Sequence, residues 1–200
     1  MGSSGGSSTH NYQPLSGKNL LLGVTGGIAA YKAAGLASHL KQMGADIDVV
    51  MTKNATEFIT TLTFQTLVKK QVFVDMWAPM RVWEVEHVAM ADRCHLALIA
   101  PATANFIGKI AGGIADDMLS TVVMALNLRC PVIIVPAMNM NMYENPIVQE
   151  NIAKLARLGY RFVEPEVGRL AEGYEGKGRF PKEETLVGEV LAALSLHVDR

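Results

Sequence analysis

Residues 18–32, "KNLLLGVTGGIAAYK", pass from one kind of secondary structure to another within a few positions. Lys18–Val24 is an apolar run of strand length, and Thr25-Gly26-Gly27 breaks it. From Ile28 to Met43, good helix formers carry apolar residues at helical spacing. The unit is strand, glycine turn, helix. Gly44 stands where a helix is commonly closed, and Asp46–Met51 ("DIDVVM") reads as a second strand ending at Thr52.

The alternation continues. Asn54 or Thr56 is placed to cap a helix running to about Val68, and a less regular stretch with Trp77, Pro79 and Trp83 follows. Leu96–Ala100 and Val132–Val135 read as strands, with a helical region over Asp116–Leu126 between them. A helix from Asn145 to Leu158 has Asn145 as N-cap, Pro146 in its first turn and Gly159 past its end. Arg161–Val163 is a final strand, Glu164–Pro181 a glycine-rich loop or flap, and a helix from about Glu183 to Leu194 closes the chain.

Strands that are apolar throughout, rather than at every second residue, imply a parallel sheet covered on both faces. The expected fold is therefore α/β: a single-domain, doubly wound parallel sheet with a C-terminal flap and helix. Such sheets bind ligands beyond the carboxyl ends of their strands. The segments Thr25–Ile28, Thr52–Phe58, Pro101–Asn105 and Pro136–Met142 all fall at such ends.

Bulk properties narrow the class. The 200 residues suit one domain with a substantial core, and 50% hydrophobic content, 18% charged residues and a net charge of −1 argue against a polyanion-binding surface. No apolar run approaches the roughly 20 residues needed to cross a bilayer. The expectation is a soluble protein with neither nucleic acid nor membrane as partner. Cys94 and Cys130 are the only cysteines and stand apart, which fits a reducing, cytoplasmic setting. The opening "MGSSGGSSTH" is Gly/Ser-rich, so residues 1–17 read as a flexible leader or tag and 18–200 as the folded domain.

Several segments carry polar groups suited to ligands. The two glycines of "TGGIAAYK" can bring backbone N–H groups and a helix end to a phosphate, or can serve turn geometry alone; the pattern is neither G-x-G-x-x-G nor a Walker loop. In "APATAN", Thr103 and Asn105 can hydrogen-bond a flat polar ring, or the segment can be a turn that caps a helix. "GGIADDMLST" adds Ser120, with Asp116 or Asp117 as a helix cap. His87 in "VEHVAMADRC" has a side chain suited to proton transfer near neutrality, although an isolated histidine is commonly structural. His95 beside Cys94 lacks the companions of a zinc site, and no metal is expected. In "PAMNMNMYENP", Asn139 can orient a carboxylate, while Met138, Met140 and Met142 form a soft wall or fill the core.

Taken together, "TGGIAAYK", "EHVAMAD", "APATANFIGKIAGGIADD", "PAMNMNMYENP" and "GRLAEGYEGKGR" resemble the flavin-dependent cysteine decarboxylases, and most nearly the phosphopantothenoylcysteine decarboxylases of coenzyme A synthesis. The resemblance implies a flavodoxin-like (Rossmann-like) domain that binds FMN and assembles as trimers or multiples of trimers up to dodecamers, with the flavin at a subunit boundary. A phosphopantothenate–cysteine ligase domain, found in bifunctional relatives, does not fit within these 200 residues, so the expectation is either a stand-alone enzyme or an excised decarboxylase half whose full-length protein carries the ligase. FMN would contact Gly27, Thr52, Phe58, Ala102, Thr103, Ala104, Asn105, Ser120 and Ala137. His87 matches the active-site histidine and Asn139 the residue that holds the substrate carboxylate. Met142 would also meet the substrate, a phosphorylated cysteine conjugate; Lys177 and Arg179 of "GYEGKGR" either contact that anionic substrate or belong to a solvated loop.

The implied reaction converts 4′-phospho-N-pantothenoylcysteine to 4′-phosphopantetheine: oxidation to a thioaldehyde, loss of carbon dioxide to an enethiol, then reduction. The family flap reads Leu-Ala-Cys-Gly where this chain has Leu170-Ala171-Glu172-Gly173. Glu172 is either a substitute acid or the mark of a lost reductive step. Enzymes that decarboxylate a peptide's C-terminal cysteine stop at the enethiol, so that activity is an alternative, and a non-catalytic flavin-binding regulatory subunit is another.

Overall fold

The computed structural model describes residues 13–77, 86–126, 130–169 and 175–195. Six parallel strands form one sheet: β1 (Asn19–Val24), β2 (Asp46–Met51), β3 (Val72–Phe73), β4 (Leu96–Ala102), β5 (Val132–Pro136) and β6 (Arg161–Phe162). Their spatial order is β3-β2-β1-β4-β5-β6, so the winding reverses between β1 and β4. This is the doubly wound, Rossmann-like fold expected from the sequence.

Two cores explain the unbroken apolar strands. Leu20, Leu22 and Val24 of β1, with Ile47, Val49 and Met51 of β2, pack on one face. The helices α1 (Ala30–Gln42), α2 (Thr61–Val68) and α8 (Glu183–Ser195) cover that face, contributing Leu36, Phe64 and Leu186. Leu21, Val50, Ala97 and Ile99 point the other way, toward α3 (Glu86–Arg93), α4 (Ala104–Gly112), α5 (Met118–Ala125) and α7 (Pro146–Arg157). With both faces covered, alternation disappears from the sequence and not from the structure. Asp48 is the exception in β2. It is buried, and Lys70 Nζ at 3.1 Å and Arg93 Nε at 2.9 Å pair its carboxylate, as burial of a charge requires.

The sequence reading needs amendment in four places. Thr52, rather than Asn54 or Thr56, caps the segment after β2: its hydroxyl accepts from Ala55 N–H, and Lys53–Glu57 form a 3₁₀ turn separate from α2. The irregular middle contains β3 and α3. The presumed loop at Glu164–Pro181 is an antiparallel hairpin of β7 (Glu166–Arg169) and β8 (Glu175–Arg179); its glycines hid the strand signal. The packed fold also reaches back into residues 13–17, because Leu15 is buried and its N–H bonds Met43 O at 3.0 Å. The cap at Asn145, which accepts from Ile147 N–H at 3.0 Å, is as expected, with Pro146 beginning α7.

Where β1 and β4 part, Thr25 is buried, and its hydroxyl donates to Pro101 O at 2.8 Å and accepts from Thr103 N–H at 3.0 Å. One side chain thus fixes both rims of the crevice. Thr25→Val keeps the shape but leaves a buried carbonyl and N–H without this partner, and should lower unfolding free energy by about 2–3 kcal/mol in urea titration; an unchanged midpoint would contradict this role.

Candidate active-site cleft

A cleft of about 730 Å³ opens at the point where strand order reverses, within the size range of small-molecule sites. Gly26, Gly27 and the first turn of α1 form one wall, and Thr103 and Ala104 after β4 form the floor. Ala137, Asn139 and Met142, around the short helix α6 (Met140–Tyr143), form the other wall, to which Arg179, the last residue of β8, and Phe180 just after it are added.

Local rules explain the shape. A Cβ on Gly26 would lie 2.7 Å from the Asn54 carbonyl carbon, so only glycine lets the two loops approach. A Cβ on Gly27 would meet only the Thr103 methyl, at 3.7 Å; packing tolerates a side chain there, but it would intrude on the cleft wall. No side chain caps α1, whereas Thr103, Asp117 and Asn145 cap α4, α5 and α7. The positive end of α1 therefore borders the cleft without a side-chain acceptor. Asn139 caps α6, its Oδ1 accepting from Asn141 N–H at 2.9 Å, and this bond orients the amide.

A second cavity of about 390 Å³ adjoins the first and shares Tyr31, Lys32, Arg179 and Phe180 with it. Burial holds the Lys32 ammonium below the ordinary lysine range; the Arg179 charge pushes the same way and Glu166 opposes both. Lys32 also lies 5.9 Å from the centre of the Phe180 ring. Two cations on one cavity wall suit an anionic ligand. Sequence reasoning missed Lys32, although its spacing from Ile28, one helical turn, was a usable signal.

Of the residues named from the sequence, Gly27, Thr103, Ala104, Ala137, Asn139, Met142 and Arg179 meet in this cleft. Ala102 is buried just beneath, and its carbonyl accepts from Ala137 N–H at 3.1 Å. Thr52 and Phe58 flank the 3₁₀ turn Lys53–Glu57 and Asn105 lies in the first turn of α4; none of the three lines the cleft. Lys177 pairs with Glu164 at 2.6 Å and lies over the Tyr143 ring. His87 is half-buried on α3, which packs against α5, and the fold does not bring it to this cleft within one chain. His95 is structural, its Nδ1 accepting from Asn19 N–H at 2.9 Å. Glu172 lies outside the described residues.

Ser120 is fully buried in a capping box: its N–H donates to Asp117 Oδ1 at 2.9 Å and its hydroxyl accepts from Asp117 N–H at 3.2 Å. Burial disfavours the Asp117 carboxylate, but Lys109 at 2.8 Å and the Ser120 N–H outweigh it and hold the carboxyl below its usual range. A depressed folded-state pKa contributes stability that is present above the unfolded value, about 3.9, and lost as pH falls through the folded one. Asp117→Asn should therefore flatten the acid limb of a stability-versus-pH curve below about pH 4; an identical limb in the variant would exclude the interaction.

Comparison with known proteins accords with this architecture. The Flavoprotein family profile matches residues 8–195. The coenzyme A biosynthesis bifunctional protein CoaBC of Bacillus subtilis (strain 168) is 48% identical over 173 residues, 86% of this chain and 42% of the relative, so the chain spans about two fifths of that protein. A Streptococcus mutans protein named probable phosphopantothenoylcysteine decarboxylase is 40% identical over 86% of this chain and 97% of its own length. Among solved structures, a PPC decarboxylase mutant complexed with pantothenoylaminoethenethiol superposes with a TM-score of 0.78 at 28% identity, covering 86% of this chain and 96% of that one. The FMN-dependent cysteine decarboxylase SpaF gives 0.78 at 31% identity, with 92% and 99% covered. The chain belongs to the Flavoprotein family.

Proposed function

We propose that this chain is an FMN-dependent decarboxylase that converts 4′-phospho-N-pantothenoylcysteine to 4′-phosphopantetheine in coenzyme A biosynthesis. The observation that carries the reading is the meeting of Gly27, Thr103 and Ala104 with Asn139, Met142 and Arg179 in one cleft at the strand-order reversal. Four segments, distant in sequence, supply both a small-residue floor and polar groups.

FMN fits these residues. Small side chains at Gly27, Ala104 and Ala137 allow close approach of a planar ring, and the uncapped end of α1 suits a phosphate. Ala102, Thr103, Asn105, Thr52, Phe58 and Ser120 complete the proposed contacts, Ser120 through the turn it braces. When bound, the flavin supplies a two-electron acceptor for the carbon that bears the substrate thiol.

The protein's own contribution is positioning. Asn139, oriented by its bond to Asn141, offers an amide donor to the substrate carboxylate. Met142 shields the reacting end from water, and Lys32 with Arg179 attracts the phosphate end. His87 manages protons. Because it lies away from the cleft of its own chain, it serves the cleft of a second copy. This supports a homo-oligomer, a trimer or multiple of trimers, with the site at the boundary. Ile28, Tyr31 and Met142, 61%, 59% and 49% exposed at the cleft mouth, would be covered there. A ligase domain, fused or separate, is the proposed functional partner, and the cytoplasm the setting.

Glu172 in place of the family's flap cysteine favours a second outcome, release of the enethiol, the product expected of a peptidyl-cysteine decarboxylase. Mass spectrometry of the product separates the two: a loss of about 44 mass units means decarboxylation with reduction, and about 46 means the enethiol. An unaltered substrate would refute both. Asn139→Asp should place a second negative charge beside the carboxylate and lower kcat/KM by roughly a hundredfold or more, with the flavin retained. Undiminished turnover in that variant would remove Asn139 from this role.

A further inference from the structure

Cys94 and Cys130 have no part in the proposed decarboxylation, yet their sulfurs lie 3.5 Å apart although 36 positions separate them in the chain. The sheet explains the encounter. Ala97 pairs with Val132 in the β4–β5 ladder, and Ala97 N–H bonds Pro131 O at 3.0 Å, which carries the pairing one step further back. The two cysteines therefore sit where β4 and β5 begin, at the end of the sheet opposite the cleft. Adjacent strands run about 4.8 Å apart, within the Cα window of about 4.4–6.8 Å that disulfides require. Side-chain rotation can close the gap.

Both thiols are half-buried and so remain reachable by small molecules. They also differ. The hydrogen bond from Cys130 holds the Cys94 thiol below its ordinary range against the opposing effect of burial, and the N–H groups of Leu21 and Leu96 help. The same pairing, with burial, pushes Cys130 up. Cys94 is thus the nucleophile of the pair.

We propose that Cys94 and Cys130 form a reversible redox site that closes to an intramolecular disulfide on exposure to a hydroperoxide. The Cys94 thiolate attacks the peroxide oxygen, the O–O bond breaks, and the alcohol or water departs with the proton, leaving a sulfenic acid on Cys94. The Cys130 thiol then attacks that sulfur and expels water. Two thiols and one hydroperoxide give one disulfide, one alcohol or water, and one water. The bond would tie the carboxyl end of α3, which carries His87, to the entry of β5, which leads to Ala137 and Asn139. In a reducing compartment the dithiol is the resting form, and the disulfide is transient.

The test uses the full-length, FMN-loaded protein, reduced, desalted, treated with hydrogen peroxide, and then alkylated under denaturing conditions. Intact mass spectrometry should find no alkyl group added and a mass about 2 units below that of the reduced chain, with two alkyl groups taken up again after dithiothreitol. A monomer band on a non-reducing denaturing gel would accompany it. Two alkyl groups after peroxide, oxygen retained on either sulfur, or a covalent dimer would each overturn the proposal. In Cys130→Ser, dimedone should capture the sulfenic acid at Cys94; should that variant not fold, the wild-type mass decides.

Discussion

The junction between β1 and β4 is the constraint on which the rest depends. All six strands are parallel, so the sheet reverses its winding once, and the reversal opens a crevice that helices cannot fill. Thr25 spans that crevice at its base, bonded to Pro101 O and Thr103 N–H. Gly26 lets the loop after β2 close on it. Every residue proposed to touch flavin or substrate is placed relative to these few contacts. The cleft is a consequence of topology, and the side chains around it only specialise it.

Charge is distributed with the same economy. At the amino end of the sheet Asp48 is buried and satisfied by Lys70 and Arg93, whereas on the cleft side Lys32 shares a wall with Arg179, and burial together with the Arg179 charge holds the Lys32 ammonium below its ordinary range, only partly relieved by Glu166. Paired charge stabilises one end; imperfectly compensated positive charge marks the other as a place for an anion. The strand ends thus divide the molecule into a structural edge, which also carries the two thiols, and a binding edge.

Much of this was legible in the sequence, and the limits have physical causes. Largely apolar runs at Lys18–Val24, Asp46–Met51 (interrupted by Asp48) and Val132–Val135 announced a sheet covered twice, because both cores claim alternate residues of one strand. Asn145-Pro146 announced a helix start through the unsatisfied N–H groups that every such start must answer. Strand β3 escaped because two residues carry no period. The β7–β8 hairpin escaped because Gly168, Gly176 and Gly178 dilute its pattern. At the site, Asn139 and Arg179 were found through motifs, and Lys32 was missed because a lysine on a helix reads as solvated until tertiary structure buries it. His87 was named from its motif alone, and the fold of the single chain does not bring it to the cleft wall.

The central claim is that the crevice between β1 and β4 holds a flavin, and titration of flavin-free protein with FMN tests it most directly. Saturable quenching of flavin fluorescence at one equivalent per chain, weakened when a bulky side chain is introduced by Gly27→Leu, is the expected result. Fluorescence that rises linearly with added FMN, or binding indifferent to Gly27→Leu, would contradict the account.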